Sequence, residues 1–265
     1  MRNGGTRMKK IKFFGIGLII VSMLLTGTVS AKDAPMSWYC VRNKEHKQPL
    51  ADAALRIVEK YDGYYIDHRH GDTVEEKVVY FTFDAGYENG NVEKILDVMK
   101  EEEVTGAFFV LKNLVLKNGD LIKRMINEGH LICNHTASHK DMTTCTSLEE
   151  FKAELDCLEN IYFEATGQTL APYYRPPEGK FNEASLKYAK ELGYKTIFWS
   201  FAYADWDNAR QMAPEEAKKK ILDHVHNGEV LLLHPTSATN AAVLDSVLTK
   251  LESEGYRFGS LNEIA

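Results

Sequence analysis

Residues 77–86, Lys-Val-Val-Tyr-Phe-Thr-Phe-Asp-Ala-Gly, decide the fold of this chain. The run 78–83 (VVYFTF) is a buried-strand pattern, and Asp84 stands at its C-terminal end ahead of a glycine turn. Working outward, six further apolar runs follow the same plan, at 106–110, 130–134, 172–175, 195–199, 230–233 and 256–258. Amphipathic helices lie between them. Ile95, Val98 and Met99 mark the stripe of one helix over 91–103; Leu121, Ile122, Met125 and Ile126 mark the next, and Ser147-Leu-Glu-Glu150 opens a third with a capping box. Gly129, Gly193, Gly228 and Gly255 each stand between a helix and a strand, as left-handed C-terminal stops do. Seven strand-then-helix units imply an α/β chain with a parallel sheet. Seven or eight such units close into a barrel, with an open doubly wound sheet as the alternative architecture.

The flanks differ from this rhythm. Arg2, Arg7, Lys9, Lys10 and Lys12 precede an apolar run over 13–25, and small residues fill 27–31. Residues 1–31 therefore read as a secretory signal cleaved after Ala31, with an uncleaved anchor as the alternative and as the chain's one expected membrane contact. Residues 32–74 form a lead-in packed on the barrel, with a helix expected over 51–61 and loops over 62–72. The main domain is expected over 75–265.

The 265 residues carry 32 Lys and Arg against 38 Asp and Glu, a formal charge of −6. Loss of 1–31 removes five basic and no acidic side chains, which leaves −11. An acidic exported protein lacks the basic footprint of nucleic-acid binding. A 44% apolar, 26% charged composition excludes disordered and collagen-like chains. Cys40, Cys133, Cys145 and Cys157 match no zinc-ribbon spacing; they allow three full disulfide pairings, and the sequence selects none.

Chemistry in such folds gathers where strands end. There the chain places Asp84, then Asn134-His135-Thr136-Ala137-Ser138-His139, then Arg175-Pro-Pro-Glu178-Gly179, then an aromatic segment reaching Asp205-Trp206, and last His234-Pro235. Two imidazoles four residues apart, on one helical turn or a tight loop, can aim at a single cation such as zinc.

In this order TFDAG, H-x3-H, RPPEG, the aromatic segment ending in Asp205-Trp206, and LLLHP resemble the five motifs of the polysaccharide deacetylases, carbohydrate esterases with a NodB homology domain. The resemblance spans about residues 75–264. It implies a distorted (β/α)7 barrel that hydrolyses an N-acetyl group from a sugar. By the same resemblance Asp84 is the general base and His135 and His139 are metal ligands. Arg175 holds the base, with a bidentate grip available to it; His234 is the general acid, and Asp205 orients it. The Glu178 amide contributes to an oxyanion site, and Trp206 and Trp199 line or support the sugar cleft. Tyr87-Glu88-Asn89-Gly90 and the lead-in are similar to the muramic acid deacetylases that serve muramic δ-lactam formation in spore cortex, so Tyr87 joins the substrate residues. The implied substrate is the peptidoglycan glycan strand, freed of peptide.

One position departs from the pattern. Ala85 stands where the family carries an aspartate ligand, and a methyl coordinates nothing. The expectation is then a divalent metal, zinc by family habit, on two histidines, with Asp84, Glu88 or Asp141 as stand-in donors or an accessory protein completing the site. A catalytically silent wall-binding homologue and a deacetylase of N-acetylglucosamine polymers are the competing functions. An acidic chain is repelled at long range by muramic carboxylates unless a local basic patch, such as Arg175, Lys180 or Lys140, rims the cleft.

Overall fold

The computed structural model of the chain describes Met1 and residues 34–264. Apart from Met1, the expected signal segment over 1–31 lies outside the described residues. The strands are β1 (Met36–Ser37), β2 (Gly63–Tyr64), β3 (Lys77–Ala85), β4 (Ala107–Val110), β5 (Leu131–Asn134), β6 (Ala171–Tyr174), β7 (Lys180–Phe181), β8 (Lys195–Ile197), β9 (Glu229–Leu233) and β10 (Tyr256–Phe258). The helices are α1 (Ile57–Lys60), α2 (Val92–Glu101), α3 (Lys112–Lys117), α4 (Gly119–Asn127), α5 (Leu148–Thr166), α6 (Glu183–Glu191), α7 (Pro214–His224), α8 (Ala238–Ser253) and α9 (Leu261–Ile264).

All seven expected strands join one sheet, and every ladder between them is parallel. β3 is its hub. It pairs with β4 through Thr82–Ala85, with β9 through Val79–Phe83 and with β10 through Lys77–Val79. The sheet curls through β4, β5, β6 and β8, and returns to β9 by a single Phe201–Leu231 bridge. Below that bridge β2 enters beside β8, and Ile66 reaches Glu229. The result is the distorted (β/α)7 barrel, tight around β3 and loose between β8 and β9.

Strand periodicity fixes which side chains face the site. Val78 and Tyr80 belong to the barrel interior, whereas Val79, Phe81, Phe83 and Ala85 pack against the helices. Asp84 is in phase with Tyr80 and Thr82, so it points inward at the mouth of the barrel. Burying the α2 stripe of Val92, Ile95, Leu96 and Met99 fixes that helix outside the sheet.

Two local expectations are corrected. The helix expected over 51–61 is regular only from Ile57, because Asp52 first caps a turn by accepting from the Ala54 N–H at 2.9 Å. Ser147 does cap α5 through the Glu150 N–H at 3.3 Å, but the Glu150 carboxylate accepts from the Thr146 N–H at 2.8 Å, one residue ahead of the cap. A reciprocal box forms instead on α6, between Asn182 and Ser185. The lead-in lies on the barrel: β1 pairs antiparallel with β7, and Trp38, Leu55, Val58, Tyr65 and Ile66 pack with Phe181, Leu186 and Phe198. Among the described residues no helix is long and apolar enough to cross a membrane.

Candidate active site

The ends of β3, β5, β6 and β9 and the segments after them surround a cleft of about 620 Å³. Asp84, His135, His139, His234, Glu178, Tyr87, Trp199 and Trp206 all line it. Arg175 and Asp205, both fully buried, stand behind that surface and act on the residues that line it.

Asp84 lies between two partners. Arg175 donates from Nη1 to its Oδ1 at 2.9 Å, and His135 Nε2 approaches Oδ2 at 3.5 Å. The expected bidentate grip is not formed. The Arg175 Nε bonds the Ile197 carbonyl at 3.0 Å, and Nη2 bonds Thr82 Oγ1 at 2.9 Å and the Phe198 carbonyl at 3.2 Å. Its plane also covers the Phe109 ring at 4.1 Å. A buried guanidinium must spend its donors on acceptors, so three N–H groups lock it to Ile197, Thr82 and Phe198 and only Nη1 reaches Asp84. Burial opposes ionisation of Asp84, yet His135, Arg175 and His234 together hold its carboxyl below the usual range.

A tight loop, not a helical turn, carries His135 and His139. Thr136 and His139 both adopt positive φ, 70° and 61°. Side chains satisfy the bent backbone: Asn134 Oδ1 accepts from Thr136 N–H, and Thr136 Oγ1 accepts from His139 N–H, each at 2.9 Å. The two rings meet edge to face, 5.1 Å between centroids. His135 Nδ1 donates to the Arg175 carbonyl at 2.9 Å, which leaves the Nε2 lone pair turned toward the cleft, the arrangement of a metal-binding imidazole. Burial pushes its pKa down to about 4, so this nitrogen is unprotonated at neutral pH.

These two imidazoles fit a divalent cation. The rest of the donor set does not close around them: among the described residues no three His, Cys, Asp or Glu side chains converge on one point. The Ala85 methyl is fully buried in the apolar layer under the helices. Asp141 caps the Thr143 N–H at 3.0 Å and faces Lys180, while one Glu88 oxygen accepts from the Gly90 N–H; neither lines the cleft.

On the opposite side, His234 Nδ1 bonds Asp205 Oδ1 at 2.7 Å, and its backbone N–H donates to Oδ2 at 2.8 Å. Asn240 Nδ2 also donates to Oδ2 at 2.6 Å, and the Tyr203 hydroxyl in turn bonds Asn240. Burial disfavours the imidazolium, but the Asp205 hydrogen bond and the charges of Asp205 and Asp84 outweigh it and raise the His234 pKa. Trp206, 61% exposed, lies beside this ring at 6.4 Å. Tyr87 accepts from Asn208 Nδ2 at 2.7 Å across the rim.

A family profile described as polysaccharide deacetylase matches residues 71–197. The peptidoglycan-N-acetylmuramic acid deacetylase PdaA of Bacillus subtilis is 40% identical over 248 residues, 92% of this chain and 92% of that protein. The chain belongs to the polysaccharide deacetylase family. It is a hydrolase of the sugar N-acetyl amide bond. The solved structure of B. subtilis PdaA, a family 4 carbohydrate esterase, superposes with a TM-score of 0.81 over 88% of this chain and 97% of that one. A family 4 pseudoenzyme from Bacillus anthracis, BA3943, is 26% identical with a TM-score of 0.68, covering 76% of this chain and 68% of that one. Within the family fold, all ten site residues expected from sequence lie at or directly behind one cleft.

Sequence reasoning missed Thr82, Tyr203 and Asn240, which hold Arg175 and Asp205. Thr82 had a signal, a lone hydroxyl inside an apolar strand. Asn240, on α8, had none. Of the side chains named for a basic rim, Arg175 is sealed inside, and Lys180 is paired with Glu178 at 2.7 Å. The four cysteines are free thiols, with Cys133 inside the barrel core.

Proposed function

We propose that the chain is an extracytoplasmic peptidoglycan deacetylase that removes the acetyl group from N-acetylmuramic acid in peptide-free glycan strands, the step that precedes muramic δ-lactam closure in spore cortex. One observation carries the catalytic reading: Asp84 and His234 face the same cleft, each hydrogen-bonded to a buried partner, Arg175 and Asp205, whose charge favours the ionised base and the protonated acid. The muramic specificity is supported by the similarity to PdaA, which extends over nearly the whole of both chains.

Asp84, ionised, accepts a proton from water as the oxygen adds to the acetamide carbonyl carbon. The N–H of Glu178, which lines the cleft, is the donor to the oxyanion that forms. His234, charged with Asp205 behind it, gives its Nε2 proton to the sugar nitrogen as the C–N bond breaks, yielding acetate and a free amine. His135 and His139 would hold a divalent metal, zinc by family habit, which when bound would polarise the carbonyl and acidify the attacking water. In a muramic acid residue the freed amine then stands beside its own lactyl carboxyl, so closure with loss of water is intramolecular.

The test is acetate release from peptide-free muramyl strands across a divalent-metal series, with product masses recorded. Loss of an acetyl group from muramic acid is expected, and Asp84→Asn should lower kcat by about 10²–10⁴. Acetate from N-acetylglucosamine oligomers alone would overturn the muramic assignment. No acetate under any metal would place the chain with silent homologues of the BA3943 kind, a reading that Ala85 favours.

A further inference from the structure

The lead-in touches the cleft wall in a regular way. Residues 38–41 alternate, with Tyr39 and Val41 exposed (50% and 68%) and Trp38 and Cys40 turned toward the barrel, and the guanidinium of the exposed Arg42 reaches back to it. That is strand periodicity, paired only by an isolated antiparallel bridge between Cys40 and Ala51. Trp38 Nε1 donates to the Trp199 carbonyl at 2.8 Å, the Cys40 thiol approaches the same oxygen at 3.7 Å, and Arg42 Nη1 donates to the Ala202 carbonyl at 2.6 Å. These oxygens lie just past the point where β8 loses its neighbour β2, whose last bond to it is Phe198 N–H to the Tyr64 carbonyl at 2.7 Å. Side chains of the lead-in replace the missing strand edge.

The wall they hold is functional surface. Trp199, Ala202 and Tyr203 line the cleft, and the segment continues to Asp205. Rings anchor the clamp from below: Trp38 packs on Tyr65 and Phe198 at 4.8 and 4.6 Å, and the Arg42 guanidinium covers Phe201 at 5.2 Å. The Trp38 backbone N–H separately bonds the Gly179 carbonyl at 2.9 Å, next to the Glu178 amide.

We infer that Trp38 and Arg42, which lie ahead of the family-profile match, are positioning residues for deacetylation that fix the sugar-binding wall at 199–203 through its carbonyl groups. The inference rests on the deacetylase reading of the cleft. Tyr203 is bonded to Asn240, which with the His234 N–H anchors Asp205 independently of the lead-in, so loosening the Trp199 and Ala202 carbonyls weakens substrate binding and leaves proton transfer intact. Trp38→Phe keeps the stacked ring and the bond to Gly179 while deleting one N–H. In the full chain it should raise KM roughly fivefold, the worth of one lost hydrogen bond. Its kcat and the alkaline limb of its pH profile should stay unchanged. Arg42→Ala should act the same way, and Arg42→Lys, which retains a donor, should restore KM.

A merely structural role predicts the reverse, a smaller active fraction with lower apparent kcat and normal KM, and that result overturns the inference. Hydrogen exchange supplies an arm independent of turnover: amides at 199–203 should exchange faster in Trp38→Phe while core strands keep wild-type protection. Unchanged exchange there refutes the positioning role. A wild type that releases no acetate refutes instead the deacetylase reading.

Discussion

At the scale of single residues, the site works by setting two protonation states in opposition. Arg175, His135 and His234 lower the Asp84 pKa, whereas the hydrogen bond and charge of Asp205 raise that of His234. Base ionised and acid protonated coexist between the two values, which gives a bell-shaped kcat/KM profile. Its alkaline limb belongs to His234, whose raised pKa keeps the imidazolium above the usual histidine range. Asp205→Asn removes the raising charge and leaves the burial that lowers it, so this limb should move to lower pH and kcat should fall. A pH–rate profile of the variant with an unmoved limb would remove His234 from the acid role. The lining residues were legible in sequence because each follows an apolar run. Their keepers Tyr203 and Asn240 were not, since nothing in a linear pattern says which amide will meet a buried carboxylate.

Elements bring the residues to the cleft, and the loop after β6 is the most constrained of them. Glu178 and Gly179 both adopt positive φ, 56° and 64°. A Cβ on Gly179 would lie 2.7 Å from the Trp199 ring. Gly179→Ala should therefore cost about 1–3 kcal/mol from backbone strain alone, read in denaturant melts. It should also raise KM by displacing Trp199, and wild-type values for both would show that the loop tolerates a side chain. Strand positions were readable because period-two burial and glycine stops are local signals, and all seven runs became strands. The helix over 51–61 was misread: apolar spacing is visible in sequence, but the i→i+3 turn bonds that Leu55, Val58 and Glu59 make before a regular helix sets in are a geometric event.

The whole molecule places a carboxyl where charge is costly. Glu229, at the start of β9, is fully buried, accepts from the His226 N–H at 3.0 Å, and has one oxygen without a partner among the described residues. Burial raises its pKa to about 8. The folded value exceeds the unfolded one, so its contribution is intact below the ordinary glutamate range and is lost as pH rises through about 8. Glu229→Gln should flatten that decline, gaining up to a few kcal/mol over wild type at pH 9 relative to pH 4. Parallel pH–stability curves would show that Glu229 is solvated. At the same scale, a two-histidine site without a third converging side chain should hold its cation weakly. Brief chelation should abolish acetate release, and re-added metal should restore it only at concentrations well above the protein's; activity that survives chelation would dissociate turnover from the metal.

By itself the sequence determined the alternation of strand and helix and which polar residues stand at strand ends, because these follow from local periodicity and chain order, while the barrel was implied by the motif resemblance. It also exposed the missing ligand at Ala85. Only the tertiary structure decided that Arg175 spends four of its contacts on Thr82, Ile197, Phe198 and Phe109, that Glu88 and Asp141 lie away from the cleft, and that Trp38 and Arg42 secure its wall. Those outcomes depend on which acceptors and donors lie within hydrogen-bonding reach once β8 and β9 fail to pair fully, and residues 160 positions apart in the chain carry no local trace of that meeting.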